Sequence, residues 1–115
     1  MNLSAKKLQL LGGANSGLSL LTRGIEKESL RISLDGRLAK TPHPQALGSA
    51  LTHKNITTDF SEAQLELITG VHASPEECLA ELDRVHTYIH QNLAGEHLWP
   101  SSMPCIFPSD QAAIP

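Results

Sequence analysis

Asn55-Ile-Thr-Thr-Asp-Phe-Ser-Glu-Ala-Gln-Leu-Glu-Leu-Ile-Thr69 decides how the rest of the chain is read. Its first part, Asn55 to Phe60, is stiffened by the β-branched Ile56, Thr57 and Thr58 and is expected to be extended. From Gln64 to Thr69, Leu65 and Leu67 alternate with Gln64 and Glu66 up to Gly70, which predicts a strand with one apolar and one polar face. Asp59, Glu62 and Glu66 place three carboxylates in a segment otherwise suited to burial, and charges there need a reason.

A second stretch, Arg23-Gly-Ile-Glu-Lys-Glu-Ser-Leu-Arg-Ile32, has the same peculiarity. A period of two puts Ile25, Lys27, Ser29 and Arg31 on one face and Glu26, Glu28, Leu30 and Ile32 on the other. Residues two apart on a strand project to the same side about 6.5 to 7 Å apart, so Glu26 and Glu28 stand together. A Gln64–Thr69 strand laid beside them brings Glu66 to the same surface. Each such pair repels by roughly 2 to 3 kcal/mol at an effective dielectric near 20, so either water screens the acids or a cation neutralises them. Hard divalent cations such as Mg²⁺ prefer this kind of donor, at one or two protein carboxylates per ion. The alternative is a solvated outer face lined with glutamates, which is ordinary in antiparallel sheets. Against it, Leu30 and Ile32 share the face of Glu26 and Glu28, and Ile68 shares that of Glu66.

Around these strands the chain carries familiar local signals. Met1 to Leu11 suits a short amphipathic helix ending at Gly12-Gly13, and a second short apolar run follows at Leu18 to Leu21. Asp35-Gly36 predicts a turn between strand-like runs at Arg23–Leu34 and Arg37–Lys40. Gln45 to Leu51 suits one or two helical turns opened by Pro44, with Leu47 and Leu51 facing inward. Ser74-Pro75-Glu76-Glu77 combines an N-cap serine, a proline at the first helical position and a glutamate three residues after the cap. A helix is therefore predicted over Pro75–Leu93, with Leu79, Leu82, Val85, His86, Ile89 and Leu93 on its apolar face and Gly95 beyond its end.

Composition sets the bounds. At 115 residues, 40% hydrophobic and 18% charged, the chain holds one globular domain at most. A net charge of −3 offers no basic patch for a phosphate backbone, so nucleic acid is not an expected partner. No apolar run reaches the roughly 18 residues of a membrane helix, and no secretory leader is apparent, so a cytoplasmic protein with no membrane partner is expected. Cys78 and Cys105 lack metal-site spacing and are expected to be buried or unreactive thiols, the alternative being that they pair. His86 and His90 lie four apart but without an HExxH pattern, and are read as packing or surface residues. The last stretch, Trp99 to Pro115, is broken by Pro100, Pro104 and Pro108 and carries Trp99, Met103, Ile106 and Phe107 as apolar groups in want of a surface. It reads as a connection onward, making the chain a segment of something larger.

Four motifs together resemble a known family. Arg23-Gly-Ile-Glu-Lys-Glu-Ser-Leu-Arg31, His43-Pro-Gln-Ala-Leu-Gly-Ser-Ala-Leu-Thr-His-Lys54, Ile56 to Thr69, and Trp99-Pro-Ser-Ser-Met-Pro-Cys105 look like the N-terminal part of the proteobacterial type of glutamate–cysteine ligase. The resemblance implies an α+β fold, part of a glutamine synthetase-like antiparallel sheet with flanking helices, residues 1–115 being the N-terminal segment of a single larger catalytic domain. It implies an enzyme that uses ATP to join the γ-carboxylate of glutamate to the amine of cysteine through an acyl phosphate, the first step of glutathione synthesis. Glu26, Glu28, Asp59 and Glu66 would then be ligands of Mg²⁺ or Mn²⁺, Phe60 would line the cysteine side-chain pocket, and Glu62 would be a bystander. With most of the family's length absent, the segment alone is expected to be inactive. The alternative is a truncated segment that serves as a non-catalytic binding or interaction protein.

Overall fold

The computed structural model describes residues 5–13, 17 and 20–115. The elements follow in the order α1 (Ala5–Leu11), β1 (Glu26–Ile32), β2 (Ile56–Asp59), β3 (Ser61–Ile68), α2 (Pro75–Asn92) and β4 (His97–Leu98), with short 3₁₀ turns at Gln45–Leu47 and Gln111–Ala113. Of the run expected at Leu18 to Leu21, residues 18 and 19 lie outside the described residues, and Leu20 and Leu21 are exposed.

The four strands form one sheet in the order β2-β3-β1-β4, each neighbouring pair antiparallel. β1 and β3 pair with Glu26 opposite Ile68, Glu28 opposite Glu66 and Leu30 opposite Gln64. Directly opposed residues project to the same face, so the predicted meeting of Glu66 with Glu28 is realised. The other face is covered by α2. Leu82, Val85 and Ile89 of the helix, with Leu93 just past its end, pack against Leu65 and Leu67 of β3, Ile56 of β2, Leu47 and Leu98. The helix begins where its caps predicted: the Ser74 side chain accepts the backbone N–H of Glu77, and Pro75 occupies the first helical position.

Three local expectations need correction. Leu79 is 61% exposed, and Cys78 takes the buried position one residue earlier, because the helix meets the sheet along a narrow stripe set by Ile89 and Leu93. Leu51 is 92% exposed, since the 3₁₀ turn ends at Leu47 and Gly48, at φ +81°, redirects the chain before a second turn can form. The Asp35-Gly36 reversal is present, with Gly36 at φ +79° and Ser33 and Arg37 hydrogen-bonded across it, but its return limb makes isolated bridges, Leu38 to Ile32 and Arg37 to Ile106, in place of a strand. Leu38 is instead tied to Ile106, whose carbonyl accepts its N–H at 3.0 Å.

The tail is accordingly part of the fold. Cys105 is buried with Ile32, Leu38 and Ala63, Trp99 is half-buried against this cluster, and the Trp99 N–H donates to the Leu30 carbonyl at 2.8 Å. Met103, Ile106 and Phe107 keep the exposure expected of them. Both cysteines are free and buried.

The charged residue most firmly held is one to which the strand period gave no special role. Arg31, on the helix-facing side of β1, is completely buried. Its guanidinium donates to the Glu62 carbonyl, to the Thr41 hydroxyl and carbonyl, each at 2.7 Å, and to Glu96 Oε2 at 2.5 Å. The Thr41 hydroxyl in turn donates to Glu96 Oε1. A buried guanidinium persists only when its donors are paired and its charge is met, and this network supplies both.

Candidate functional site

The open face of the sheet carries the acids. Glu28 and Glu66 are directly opposed across β1 and β3, Thr57 of β2 is opposed to Glu66 from the other side, and Glu26 lies one pleat along β1. Asp59 ends β2 just beyond an irregularity in the ladder between Thr58 and Asp59. The Glu66 carboxyl is held above the usual carboxylate range, first by partial burial and then by the charges of Glu26, Asp59 and Glu28. The other three acids therefore act on Glu66 electrostatically. Glu62, by contrast, is exposed near the hairpin end of β3, and its defined contact is the carbonyl it offers to Arg31.

Phe60 forms the tip of the β2–β3 hairpin. It is 99% exposed and has φ +52°, a conformation that costs a bulky residue strain and that appears at functional sites more often than elsewhere. The buried Arg31 fixes the base of this tip by gripping the Glu62 carbonyl two residues on.

Beside Glu28 lies a groove of about 370 Å³, walled by Leu30, Trp99, Met103 and Phe107, with Glu28 and Gln64 among its polar groups. The Trp99 indole N–H donates to the Met103 carbonyl and so shapes the tail into a wall. Gln64 belongs to the acids' face, opposite Leu30, and its side-chain amide donates to Glu28 Oε2 at 2.5 Å. Neither the groove nor this contact was expected from the sequence. The period of β3 does put Gln64 on the face of Glu66, which was the available signal for it. The groove depends on the tail folding back and left no local pattern.

The histidines are elsewhere. His86 packs on the helix side of the sheet, its Nε2 3.3 Å from Lys27 Nζ and its ring 4.9 Å from that of His90. Burial first, and then the Lys27 charge, holds its pKa below the usual histidine value. His72 Nε2 lies 2.5 Å from Glu81 Oε2, which also accepts the Gly70 N–H at 2.8 Å, a latch between the end of β3 and α2.

The acids fit a hard divalent cation in donor chemistry and in charge, since every donor is a carboxylate oxygen and the repulsion felt at Glu66 is the kind a cation relieves. Among the described residues, no three His, Cys, Asp or Glu side chains already converge on one ion position. Glu26 and Glu28 stand about 6.5 to 7 Å apart along β1, and the directly opposed Glu28 and Glu66 about 4.5 to 5.5 Å apart at their Cβ atoms, which suits one or two carboxylates per ion rather than a closed cage.

The sequence profile of the family described as glutamate-cysteine ligase matches residues 8–115. The chain belongs to the glutamate–cysteine ligase family. A ligase of Pseudomonas aeruginosa strain LESB58 is 51% identical over 117 residues, covering 99% of this chain and 22% of that protein. One from Pseudomonas entomophila is 49% identical over 106 residues, covering 92% and 20%. Among solved structures, the Francisella tularensis glutamate–cysteine ligase in complex with AMP matches with a TM-score of 0.76 at 39% identity, over 81% of this chain and 18% of that one. A bifunctional glutathione synthetase from Pasteurella multocida matches with a TM-score of 0.73 at 35% identity, over 81% and 14%. The chain thus spans about a fifth of the length of the curated ligases it matches. Its antiparallel sheet and covering helix are part of the glutamine synthetase-like fold of this family, as expected.

Proposed function

We propose that this segment is the N-terminal part of a single larger ligase domain and supplies one wall of a metal–nucleotide site, in an enzyme joining the γ-carboxylate of glutamate to the amine of cysteine at the expense of ATP. The observation that carries this reading is the gathering of Glu26, Glu28 and Glu66 on one open sheet face with Asp59 at the end of β2, the Glu66 carboxyl being raised by its burial and then by the charges of the other three, in a chain of this family.

The reaction brings several negative charges together, because a carboxylate must attack the γ-phosphate of ATP before the amine attacks the resulting acyl phosphate. Mg²⁺ or Mn²⁺, when bound, supplies charge neutralisation and alignment of donor with acceptor. Glu26, Glu28, Asp59 and Glu66 would hold these ions from rigid strands, which limits how far each carboxylate strays. Phe60, presented fully exposed at the hairpin tip, would pack against the cysteine side chain. The Arg31 network, on the opposite face, keeps the strand ends that carry these groups in place.

No helix among the described residues is long and apolar enough to cross a membrane. As part of the same proposal, the enzyme is cytoplasmic, in keeping with its small-molecule substrates. The experiment is a full-length ligase in which this segment replaces the equivalent one. Glu26→Gln and Glu66→Gln should each abolish formation of γ-glutamylcysteine while circular dichroism shows an intact fold. Wild-type activity in either variant would overturn the metal-ligand roles.

A further inference from the structure

We infer that Gln64 is a positioning residue for Glu28, a role that rests on the metal reading of the acidic face. Glu28 stands at a boundary. On one side it faces Glu66 across the strands, and on the other it lines the groove closed by Trp99, Met103 and Phe107. A carboxylate so placed can rotate toward either. The Gln64 amide decides the matter by donating a hydrogen bond to Oε2 at 2.5 Å.

The geometry suits the task. Gln64 is opposed to Leu30, two residues along from Glu28, so its side chain reaches Glu28 diagonally across the strand pair. Being neutral, it adds no charge to a face already crowded with it. Among the described residues, Oε1 and the remaining lone pair of Oε2 make no other hydrogen bond and can accept a cation. Hydrogen-bond donors that orient metal-binding carboxylates in this way are commonly worth about 10- to 100-fold in metal affinity.

The test uses the full-length ligase carrying this segment and Mn²⁺ as the probe, with the free ion followed by electron paramagnetic resonance in the absence of substrates. Gln64→Met preserves length without a donor, and Gln64→Asn keeps an amide but withdraws it by one methylene. Each should weaken Mn²⁺ binding by about tenfold, with thermal unfolding showing that the protein remains folded. Binding within twofold of the parent in a folded variant of either kind would overturn the role. Glu28→Gln separates the two levels: if it also binds like the parent, the metal reading of Glu28 has failed, whereas loss in Glu28→Gln with none in the Gln64 variants overturns only the positioning role.

Discussion

Removal of Glu96 should reveal what holds the site's scaffold together. The Arg31 guanidinium is fully buried, and Glu96 is the acid that meets its charge, at 2.5 Å with 13% of the Glu96 side chain exposed. In Glu96→Ala the positive charge stays in place, retained by the Glu62 carbonyl and by the hydroxyl and carbonyl of Thr41. Breaking a buried pair from one side costs about 3 to 5 kcal/mol. Because neutral acceptors still hold several guanidinium donors, the expected loss lies at the lower end, about 3 kcal/mol. Arg31→Met combined with Glu96→Ala removes the stranded charge and should recover part of that loss, since buried ion pairs are often replaceable by apolar groups at little cost. Native-state hydrogen exchange at the amides of β1 and β3, in the full-length ligase carrying this segment, reads these differences locally. A loss below about 0.5 kcal/mol in Glu96→Ala, or a double variant less stable than it, would refute the reasoning.

Other outcomes follow from single groups. Without metal, the raised Glu66 pKa means that ionisation costs more in the folded state; stability therefore falls as pH rises through the unfolded carboxyl value to the folded one. Glu66→Gln should unfold at higher denaturant than the parent at neutral pH, the difference vanishing in acid, and an equal midpoint at neutral pH contradicts the repulsion. Glu81 is held below the usual carboxylate range, mainly by its hydrogen bond with His72 and then by the Gly70 N–H, so its contribution is full above the unfolded value and lost as pH falls through the folded one. Exchange at the Gly70 amide should accelerate over that acid range in the parent and already be fast at neutral pH in Glu81→Gln. Phe60→Gly should relieve a strained φ worth about 1 to 3 kcal/mol while raising the KM for cysteine; an unchanged KM removes Phe60 from the pocket.

Period-two alternation sufficed to put Glu26, Glu28 and Glu66 on one face, because strand geometry leaves a side chain only two directions and Leu65 and Leu67 fix which is buried. The caps of α2 were legible for a similar reason, being local chemistry among Ser74, Pro75 and Glu77. What escaped was decided at long range. The partners of Arg31 lie 10, 31 and 65 residues away, so alternation could assign it a side but not its depth or its ion pair. The inward turn of Trp99 and Cys105 likewise rests on pairing with Leu30, Gly36 and Leu38, and no feature of a proline-punctuated tail announces such contacts. The positive φ of Phe60 is set by a two-strand turn too tight for the residue it contains.

The most direct test of the metal–nucleotide site is a crystal structure of the full-length ligase carrying this segment, grown with Mn²⁺ and a non-hydrolysable ATP analogue. Anomalous density should place Mn²⁺ within about 2.0 to 2.4 Å of carboxylate oxygens drawn from Glu26, Glu28, Asp59 and Glu66. Manganese bound only by other parts of the enzyme, with these four acids left to solvent, would contradict it.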